Sequence, residues 1–344
     1  MHKWYKETCR NHDVVISSRI RLARNLNSYP FSAKLSDKQA IDLVEKVKET
    51  SPMIETQSAK KYYSCNVDVL SDTDKAAMVE RYIISPLLIA KEQRTGLILS
   101  EDEKVSIMIN EEDHLRIQSI TGGMNIEEAF QTANKIDDIA NEILGFSFHE
   151  KYGYLTSCPT NVGTGLRASY MVFLPALTVA GKIGKLAEEL GQYGIAFRGT
   201  YGEASKSLGS IYQISNQKTL GSTEHEIIEG INRIVEQVMK QERRQREYLL
   251  TNSYDEIDDK VHRSYGVLKY AKQLSSTDAM TLLAHVKLGI DLELLHFGEV
   301  YNVHELMMEI QPGNLQCNLD KNVGSIQRDK YRADYIRKKL PDIK

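Results

Sequence analysis

Seven charged side chains in four stretches of the sequence have types and spacing that suit phosphoryl chemistry. They are Arg19, Arg21, Arg116, Arg167, Arg198, Glu112 and Glu203. Each stands near glycine-rich residues or at a predicted strand end, where the backbone would hold it rigidly. Arginine stays protonated and can contact two phosphoryl oxygens at once. Because phosphoryl transfer depends mainly on alignment and charge stabilisation, the arginines predict a site for a magnesium-bound triphosphate.

The two glutamates suit an acceptor that is itself cationic. A guanidinium group has a pKa above about 12, so it must lose a proton as it attacks phosphorus. A positioned carboxylate can orient the acceptor and take that proton. Glu112 lies between Glu111 and Asp113, and these three acids repel one another unless cations or a substrate offset them. A charged turn at a strand end and a solvated strand face are the alternatives that the residues alone leave open.

The stretch from Cys158 to Arg167 is rich in small residues that let a loop approach an anion closely. Cys158 is either a small buried filler or a thiolate polarised by arginines. Gly163-Thr-Gly165-Leu-Arg-Ala168 imitates a dinucleotide fingerprint, but it leads into a β-like segment, which disfavours that site. Three His-Glu pairs lack the second histidine of a zinc protease, so no metal site is predicted.

Strands and helices must position these side chains. Residues 13–22 predict a strand in which Arg19 and Arg21 alternate with Ile20 and Leu22 and so share one face. Further strands are predicted near 62–70, 95–100, 104–110, 153–157, 168–174, 194–198 and 210–214. Helices are predicted at 36–49, 126–144, 176–191 and 223 to about 250. Thr223-x-x-Glu226 predicts a capping box at the start of the last one.

After residue 250 the strand signals nearly vanish. The predicted helices there are 255–274, 276–290, 303–311 and 329–340. The sequence therefore predicts an α+β domain over 13–245, followed by an all-helical domain over 246–344.

Length, net charge and composition limit the classes of protein to which the chain could belong. A chain of 344 residues has room for about two domains. Its net charge, 44 − 47 = −3, disfavours direct binding of nucleic acid. It has no run of about 18 apolar residues and no leader-like N-terminus, so neither a membrane span nor a signal peptide is expected. The widely spaced Cys9, Cys65, Cys158 and Cys317 predict free thiols in a reduced, cytoplasmic protein.

Taken together, these segments resemble the motifs of the phosphagen (guanidino) kinase family, in the family's order over about residues 13–245. The motifs are Ser17-Ser-Arg-Ile-Arg21 with Tyr29-Pro-Phe31, Asn110-Glu-Glu-Asp-His-Leu-Arg116, Cys158-Pro-Thr-Asn-Val-Gly-Thr-Gly-Leu-Arg-Ala-Ser169, Arg198-Gly-Thr-Tyr-Gly-Glu203 and Ile211-Tyr-Gln-Ile-Ser-Asn216. The resemblance implies an antiparallel sheet flanked by helices. It also implies transfer of phosphoryl from ATP to a guanidine.

The resemblance also implies residue roles. Glu112 would be the catalytic base, Glu203 the second carboxylate on the guanidine, and Cys158 a reactive thiol beside it. The implied ATP contacts are Ser17, Ser18, Arg19, Arg21, Arg116, Arg167, Ala168, Ser169, Arg198, Gly199, Thr200 and Gly202. Mg²⁺ is expected on the phosphates, mostly through water, with no protein ligand. Tyr82 and Met171 stand where relatives carry histidine, so the adenine contacts are expected to differ.

Within the family the chain is most similar to the branch that phosphorylates arginine side chains of proteins. Only 16 residues precede Ser17, so the helical N-terminal domain that closes over small guanidines is not expected. Near the other end, Arg328-Asp329-Lys-Tyr-Arg332-Ala333 resembles that branch's allosteric phosphoarginine pocket. Arg328 and Arg332 are four residues apart, so a helix would align them. A salt-bridged amphipathic helix is the alternative.

The resemblance further implies a role in stress response and protein quality control. Modified proteins would go to a Clp-type ATPase–protease, and a CtsR-like repressor and misfolded proteins would be substrates. An McsA-like activator and a homodimer or higher oligomer are expected. The rival hypotheses are a kinase of free arginine and a catalytically silent adaptor that binds phosphoarginine.

Overall fold

The computed structural model describes residues 3–7, 11–199, 202–203, 207–319 and 321–344, with backbone only at 202–203. Cys9, Thr200 and the side chain of Glu203 lie outside this description. The chain forms two compact units. Unit 1 comprises Met1–Cys9, Ser17–Tyr170 and Ser215–Asn232, and unit 2 comprises Arg10–Ile16, Met171–Ile214 and Arg233–Lys344. The predicted boundary near residue 245 stays a prediction.

The strands and helices are as follows. The strands are β1 (Val15–Arg24), β2 (Tyr62–Asn66), β3 (Gly96–Ser100), β4 (Val105–Ile109), β5 (Leu115–Gly122), β6 (Phe148–His149), β7 (Gly153–Tyr154), β8 (Leu166–Phe173), β9 (Ile195–Gly199), β10 (Gly202–Glu203) and β11 (Ile211–Asn216). The helices are α1 (Asp37–Lys48), α2 (Ser51–Ser58), α3 (Asp72–Glu80), α4 (Pro86–Ala90), α5 (Ile126–Leu144), α6 (Pro175–Val179), α7 (Ile183–Gln192), α8 (Glu224–Asn252), α9 (Tyr254–Tyr270), α10 (Ser276–Asp291), α11 (Val303–Glu309), α12 (Pro312–Cys317) and α13 (Ser325–Lys339).

Unit 1 is built on a sheet with the strand order β11–β8–β1–β5–β4–β3–β2. The β1–β5, β5–β4, β4–β3 and β3–β2 pairs are antiparallel. The register places Ala23 of β1 opposite Arg116 of β5. Helix α5 packs on β5 through a buried stripe that includes Ala129, Ala133 and Ile136, whose spacing is that of one helix face. The layer formed by α5 and β5 supports β1, the strand that carries Arg19 and Arg21.

Unit 2 contains the strand order β10–β9–β11–β8, helices α6 and α7, and the helices from α9 to α13. Helix α10 lies very close to α9 because position 289 is glycine. A Cβ atom there would stand 2.1 Å from Cγ1 of Val261. None of the helices in the described ranges is long and apolar enough to span a membrane. Cys65, Cys158 and Cys317 are free thiols.

The predicted fold class, an antiparallel sheet flanked by helices with a helical C-terminal part, is confirmed. The Thr223–Glu226 capping box also forms, with Thr223 N donating to Glu226 Oε2 at 2.8 Å and Glu226 N donating to Thr223 Oγ1 at 3.2 Å. The single helix predicted over 176–191 is wrong. The chain breaks it into α6 and α7 at Gly181, whose φ of +67° a right-handed helix does not accommodate.

Candidate active site

Strand β1 carries the first arginines of the site. Arg19 and Arg21 share a face with Ser17, and Arg19 Nε donates to Ser169 Oγ at 3.4 Å. Ser18 points to the opposite face, where its hydroxyl donates to Gly123 O at 2.7 Å and accepts from Asn125 N at 2.9 Å. Ser18 therefore fixes the strand from the opposite face of the sheet, whereas Ser17 and the arginines face the site.

Four guanidinium groups from three strands lie within electrostatic reach of one another. The pKa of Arg21 is well below its usual value because the group is buried, and because Arg19, Arg116 and Arg167 add positive charge nearby. Burial, followed by the charges of Arg167 and Arg116, lowers the pKa of Arg19 to about 10. Arg21 Nε is buried with no hydrogen-bond partner among the described residues. Such concentrated positive charge favours a polyanion in this place.

Arg116 is held in its position by a buried carboxylate. Its Nη1 lies 2.5 Å from Oε1 of Glu111, which also accepts a hydrogen bond from Ser85 Oγ. The second guanidinium nitrogen is only loosely engaged, 3.4 Å from Oε2 of Glu112. Glu111 thus fixes Arg116 and leaves Glu112 available.

Glu112 has the properties of a proton acceptor. Its side chain is 36% exposed, so a substrate can reach it. Partial burial raises the pKa of its carboxyl group; Arg116 opposes this rise, and the acidic neighbours Asp113 and Glu111 add to it. A raised pKa brings a carboxylate closer to the range in which a general base works well.

A buried pair that the sequence did not single out ties the cysteine loop to the strand end. Asp113 Oδ1 accepts from Asn25 Nδ2 and from the backbone N of Ser157, each at 2.6 Å. Asn25 also donates to Leu155 O at 3.1 Å. Cys158, whose Sγ lies 3.0 Å from Oγ1 of Thr160, follows directly. Asp113 and Asn25 therefore act as positioning residues for the loop.

Arg24 supports the same loop from inside unit 1. Its Nη2 lies 2.8 Å from Asp137 Oδ2, its Nη1 donates to Thr164 O at 3.0 Å, and the guanidinium stacks 3.5 Å over the ring of Tyr154. Gly165, with a φ of +63°, leaves room for this group, since a Cβ there would stand 2.6 Å from Arg24 Nη1. The strand pattern of 13–22 ends before Arg24, so the sequence pattern gives no signal for its role.

Five of the predicted site residues line one cleft of about 160 Å³. The lining includes Arg21, Ala23, Glu112, Arg116, Cys158, Thr160, Asn161, Gly165 and Arg167. Beside it, Arg167 Nη2 donates to Ser215 Oγ at 3.0 Å, and Ala168 N donates to Asn216 Oδ1 at 2.8 Å. A carboxylate, a thiol and three guanidinium groups thus face one small space.

The predicted residues from Arg198 to Glu203 belong to unit 2. In the β9–β10 hairpin, Gly199 stands opposite Gly202 and Arg198 opposite Glu203 in the backbone register. The side chain of Arg198 is exposed. Met171 is buried, whereas Tyr82, in unit 1, has its ring centroid 5.8 Å from the Arg19 guanidinium.

The Arg328–Ala333 motif lies on α13 and divides into two parts. Arg332 is 1% exposed, and it donates to Leu274 O at 2.9 Å and Ile310 O at 3.0 Å while it contacts Asp329. Ala333 is also buried. Arg328 and Asp329 are half-buried and can be reached from solvent. Arg332 therefore secures α13, and Arg328 with Asp329 form the accessible part of the motif.

Two protein families match the sequence. The ATP:guanido phosphotransferase C-terminal catalytic domain matches residues 42–245, and the protein-arginine kinase McsB C-terminal domain matches residues 254–344. The first range contains Glu112, Arg116, Cys158 and Arg167 but not the β1 residues Arg19 and Arg21, and the second contains the Arg328–Ala333 motif.

Curated relatives extend over the whole chain. A protein-arginine kinase of Clostridium acetobutylicum is 40% identical over 99% of this chain and 100% of its own length. One of Caldanaerobacter subterraneus subsp. tengcongensis is 43% identical over 95% of this chain and 97% of its own.

Solved structures show the same fold. Lombricine kinase superposes with a TM-score of 0.59 at 22% identity, over 68% of this chain and 67% of its own. The duplicated taurocyamine kinase of Schistosoma mansoni, with bound transition-state-analogue components, gives a TM-score of 0.58 at 23% identity. The match covers 68% of this chain and 34% of that duplicated one.

Proposed function

The chain belongs to the ATP:guanido phosphotransferase (phosphagen kinase) family and is an ATP-dependent phosphotransferase, and from this premise we propose that it phosphorylates arginine side chains of proteins. The observation that carries the proposal is the cleft in which Glu112 and Cys158 face Arg21, Arg116 and Arg167. The match of residues 254–344 to the McsB C-terminal domain supports a protein as the acceptor.

In the proposed step, a guanidine nitrogen of the substrate arginine attacks the γ-phosphorus of ATP. The P–N bond forms while the bond from phosphorus to the β,γ-bridging oxygen breaks, and ADP leaves with that electron pair. Glu112 accepts the proton that the guanidinium nitrogen loses. Arg19, Arg21, Arg116 and Arg167 stabilise the phosphoryl charge, and Mg²⁺ enters with ATP as part of the substrate.

The other predicted roles are part of the proposal. Glu203 would hold the guanidine with Glu112, and Cys158 would position it without forming a covalent intermediate. Arg198, Gly199, Thr200 and Gly202 would complete the nucleotide contacts. Ser17, Ala168 and Ser169 would line the phosphates beside Arg19, and Ser18 would act through the backbone that it anchors.

The direct experiment compares acceptors. The chain is incubated with Mg-ATP and either an unfolded arginine-containing protein or free arginine, and the products are followed by ³¹P NMR. We expect an acid-labile phosphoramidate on the protein and little on free arginine. Signal mainly on free arginine would favour a kinase of the free amino acid. No signal on either would favour an adaptor that only binds phosphoarginine.

We also propose that Arg328 and Asp329 bind phosphoarginine as an allosteric ligand, with Arg332 and Ala333 supporting them. Combining Arg328→Ala with Asp329→Ala should weaken binding of free phosphoarginine about tenfold or more, since it removes charge-assisted hydrogen bonds. Basal transfer should persist. Calorimetric titration with phosphoarginine and the initial rate measure the two effects.

Lys330→Ala is the matched control, because Lys330 is exposed on the same helix between the two halves of the motif. It should leave phosphoarginine binding unchanged. If the double variant binds phosphoarginine as the wild type does, the motif is ordinary helix charge.

The biological setting is proposed from the family resemblance. Phosphorylated proteins would be degraded by a Clp-type ATPase–protease in the cytoplasm during stress. A CtsR-like repressor and misfolded proteins would be substrates, and an McsA-like protein would activate the enzyme, which would act as a homodimer or higher oligomer.

A further inference from the structure

Unit 1 contains a second and larger cleft of about 620 Å³, which none of the roles above uses. We name it the Lys91 cleft. The lining residues that matter here are Asp37, Ile41, Ile89, Lys91, Glu92 and Arg94. It is about four times the volume of the 160 Å³ cleft that contains Glu112, which we name the Glu112 cleft, so it can take several residues of a chain.

The Lys91 cleft is joined directly to the strand end that carries Glu112. Lys91 Nζ donates to Asn110 Oδ1 and to Glu111 O, each at 2.8 Å. The buried Asn110 side chain in turn donates to Arg94 O at 2.8 Å. Lys91 and Arg94, which line the cleft, are therefore hydrogen-bonded to the two residues immediately before Glu112.

The chemistry of the lining suits a polypeptide. Ile41 and Ile89 are 48% and 36% exposed, and because both line the cleft they give it an apolar surface. Glu92 is exposed and has no ion-pair or hydrogen-bond partner among the described residues, whereas Arg94 is paired with Asp68 at 2.5 Å. The cleft thus offers apolar surface next to an unpaired carboxylate.

A nucleotide does not fit this lining. Its lining balances three carboxylates, of Asp37, Asp68 and Glu92, against three cations, of Lys75, Lys91 and Arg94, so it lacks the excess positive charge that favours a triphosphate. The cluster of arginine side chains that could hold a triphosphate lies instead at the Glu112 cleft.

In an extended chain, side chains two residues apart point the same way and are separated by about 6.5–7 Å. A segment with an apolar and a basic side chain near its arginine would match Ile89 and Glu92.

We propose that the Lys91 cleft binds the substrate polypeptide beside its acceptor arginine, as an extended segment that carries apolar and basic side chains. This inference rests on the proposed function, because it assumes that the acceptor arginine belongs to a protein. The cleft sets which sequences around an arginine are preferred, while the Glu112 cleft performs the transfer.

The kinetic test uses the full chain with Ile89→Asp and, separately, Glu92→Lys. The KM for an unfolded protein substrate should rise about tenfold for Ile89→Asp, because a buried apolar contact is lost. The rate at saturating protein and the KM for ATP should stay at wild-type values. Ile143→Asp is the matched control, since Ile143 on α5 is 41% exposed away from the cleft, and it should change nothing. A protein KM within twofold of wild type in both cleft variants would overturn the inference.

A second measurement does not depend on transfer. An arginine peptide that carries benzoylphenylalanine two residues from the arginine is photo-crosslinked to the wild-type chain. We expect label on the peptide that contains residues 89–94, and loss of that label in Ile89→Asp. Label confined to other segments would overturn the inference even if the protein proves to phosphorylate arginine. Label at 89–94 without any transfer would instead contradict the proposed function and keep the binding cleft.

Discussion

Glu112→Gln is expected to lower the rate of phosphoryl transfer by about 10²–10⁴-fold, the usual range for loss of a general base. Glutamine keeps the size of the side chain but cannot accept the proton that the guanidinium must lose. Binding of Mg-ATP should survive, because the phosphate contacts come from the arginines. The transfer rate measured by ³¹P NMR and the dissociation constant of Mg-ATP measured by calorimetry separate the two effects.

The pH dependence of the transfer rate distinguishes a catalytic role of Glu112 from a merely structural one, because a structural residue would not change it. Glu112 acts as its carboxylate, so the wild-type rate should fall as the pH falls through its raised pKa. The pH at which the rate falls to half, on this acidic limb of the profile, should lie above the ordinary glutamate pKa of about 4.3. Glu101→Gln, at an exposed position of the same unit, should retain both the rate and the limb. Wild-type turnover by Glu112→Gln would remove Glu112 from the mechanism.

Arg24→Met is expected to destabilise unit 1 by about 3–5 kcal/mol, the usual cost of removing one partner from a buried ion pair. The change leaves Asp137 buried without its cation, which lies 2.8 Å away in the wild type. It also removes the donor to Thr164 O and the stack on Tyr154. Urea unfolding followed by fluorescence measures the loss, because the single tryptophan, Trp4, is buried in unit 1.

Two further variants test whether loss of the buried Arg24–Asp137 ion pair causes the destabilisation by Arg24→Met. Adding Asp137→Leu to Arg24→Met should recover much of the lost free energy of unfolding, since an apolar replacement of the whole pair leaves no charge unpaired. Arg263→Ala, which breaks an exposed ion pair with Asp259, should cost less than about 1 kcal/mol. If Arg24→Met costs no more than Arg263→Ala, the network does not support the fold.

Features that depend on local spacing are predictable from the sequence alone. Alternation along β1 placed Arg19 and Arg21 on one face, and the stripe of apolar residues gave α5 with the bounds 126–144 that the structure has. The Thr223–Glu226 capping box also follows from four consecutive positions. These features are set by contacts between residues that are at most a few positions apart, so the pattern of the sequence contains them.

Contacts between residues that are distant in the sequence depend on how the whole chain packs. Arg24 and Asp137 are 113 positions apart, and Asn25 and Asp113 are 88 apart. Lys91 and Asn110, which join the larger cleft to the Glu112 strand end, are also brought together by packing. The same holds for the burial of Arg332, whose acceptors lie 22 and 58 positions away. Local propensity carries no information about such pairs, because their partners are chosen by the packing of strands and helices and by the need to satisfy every buried charge.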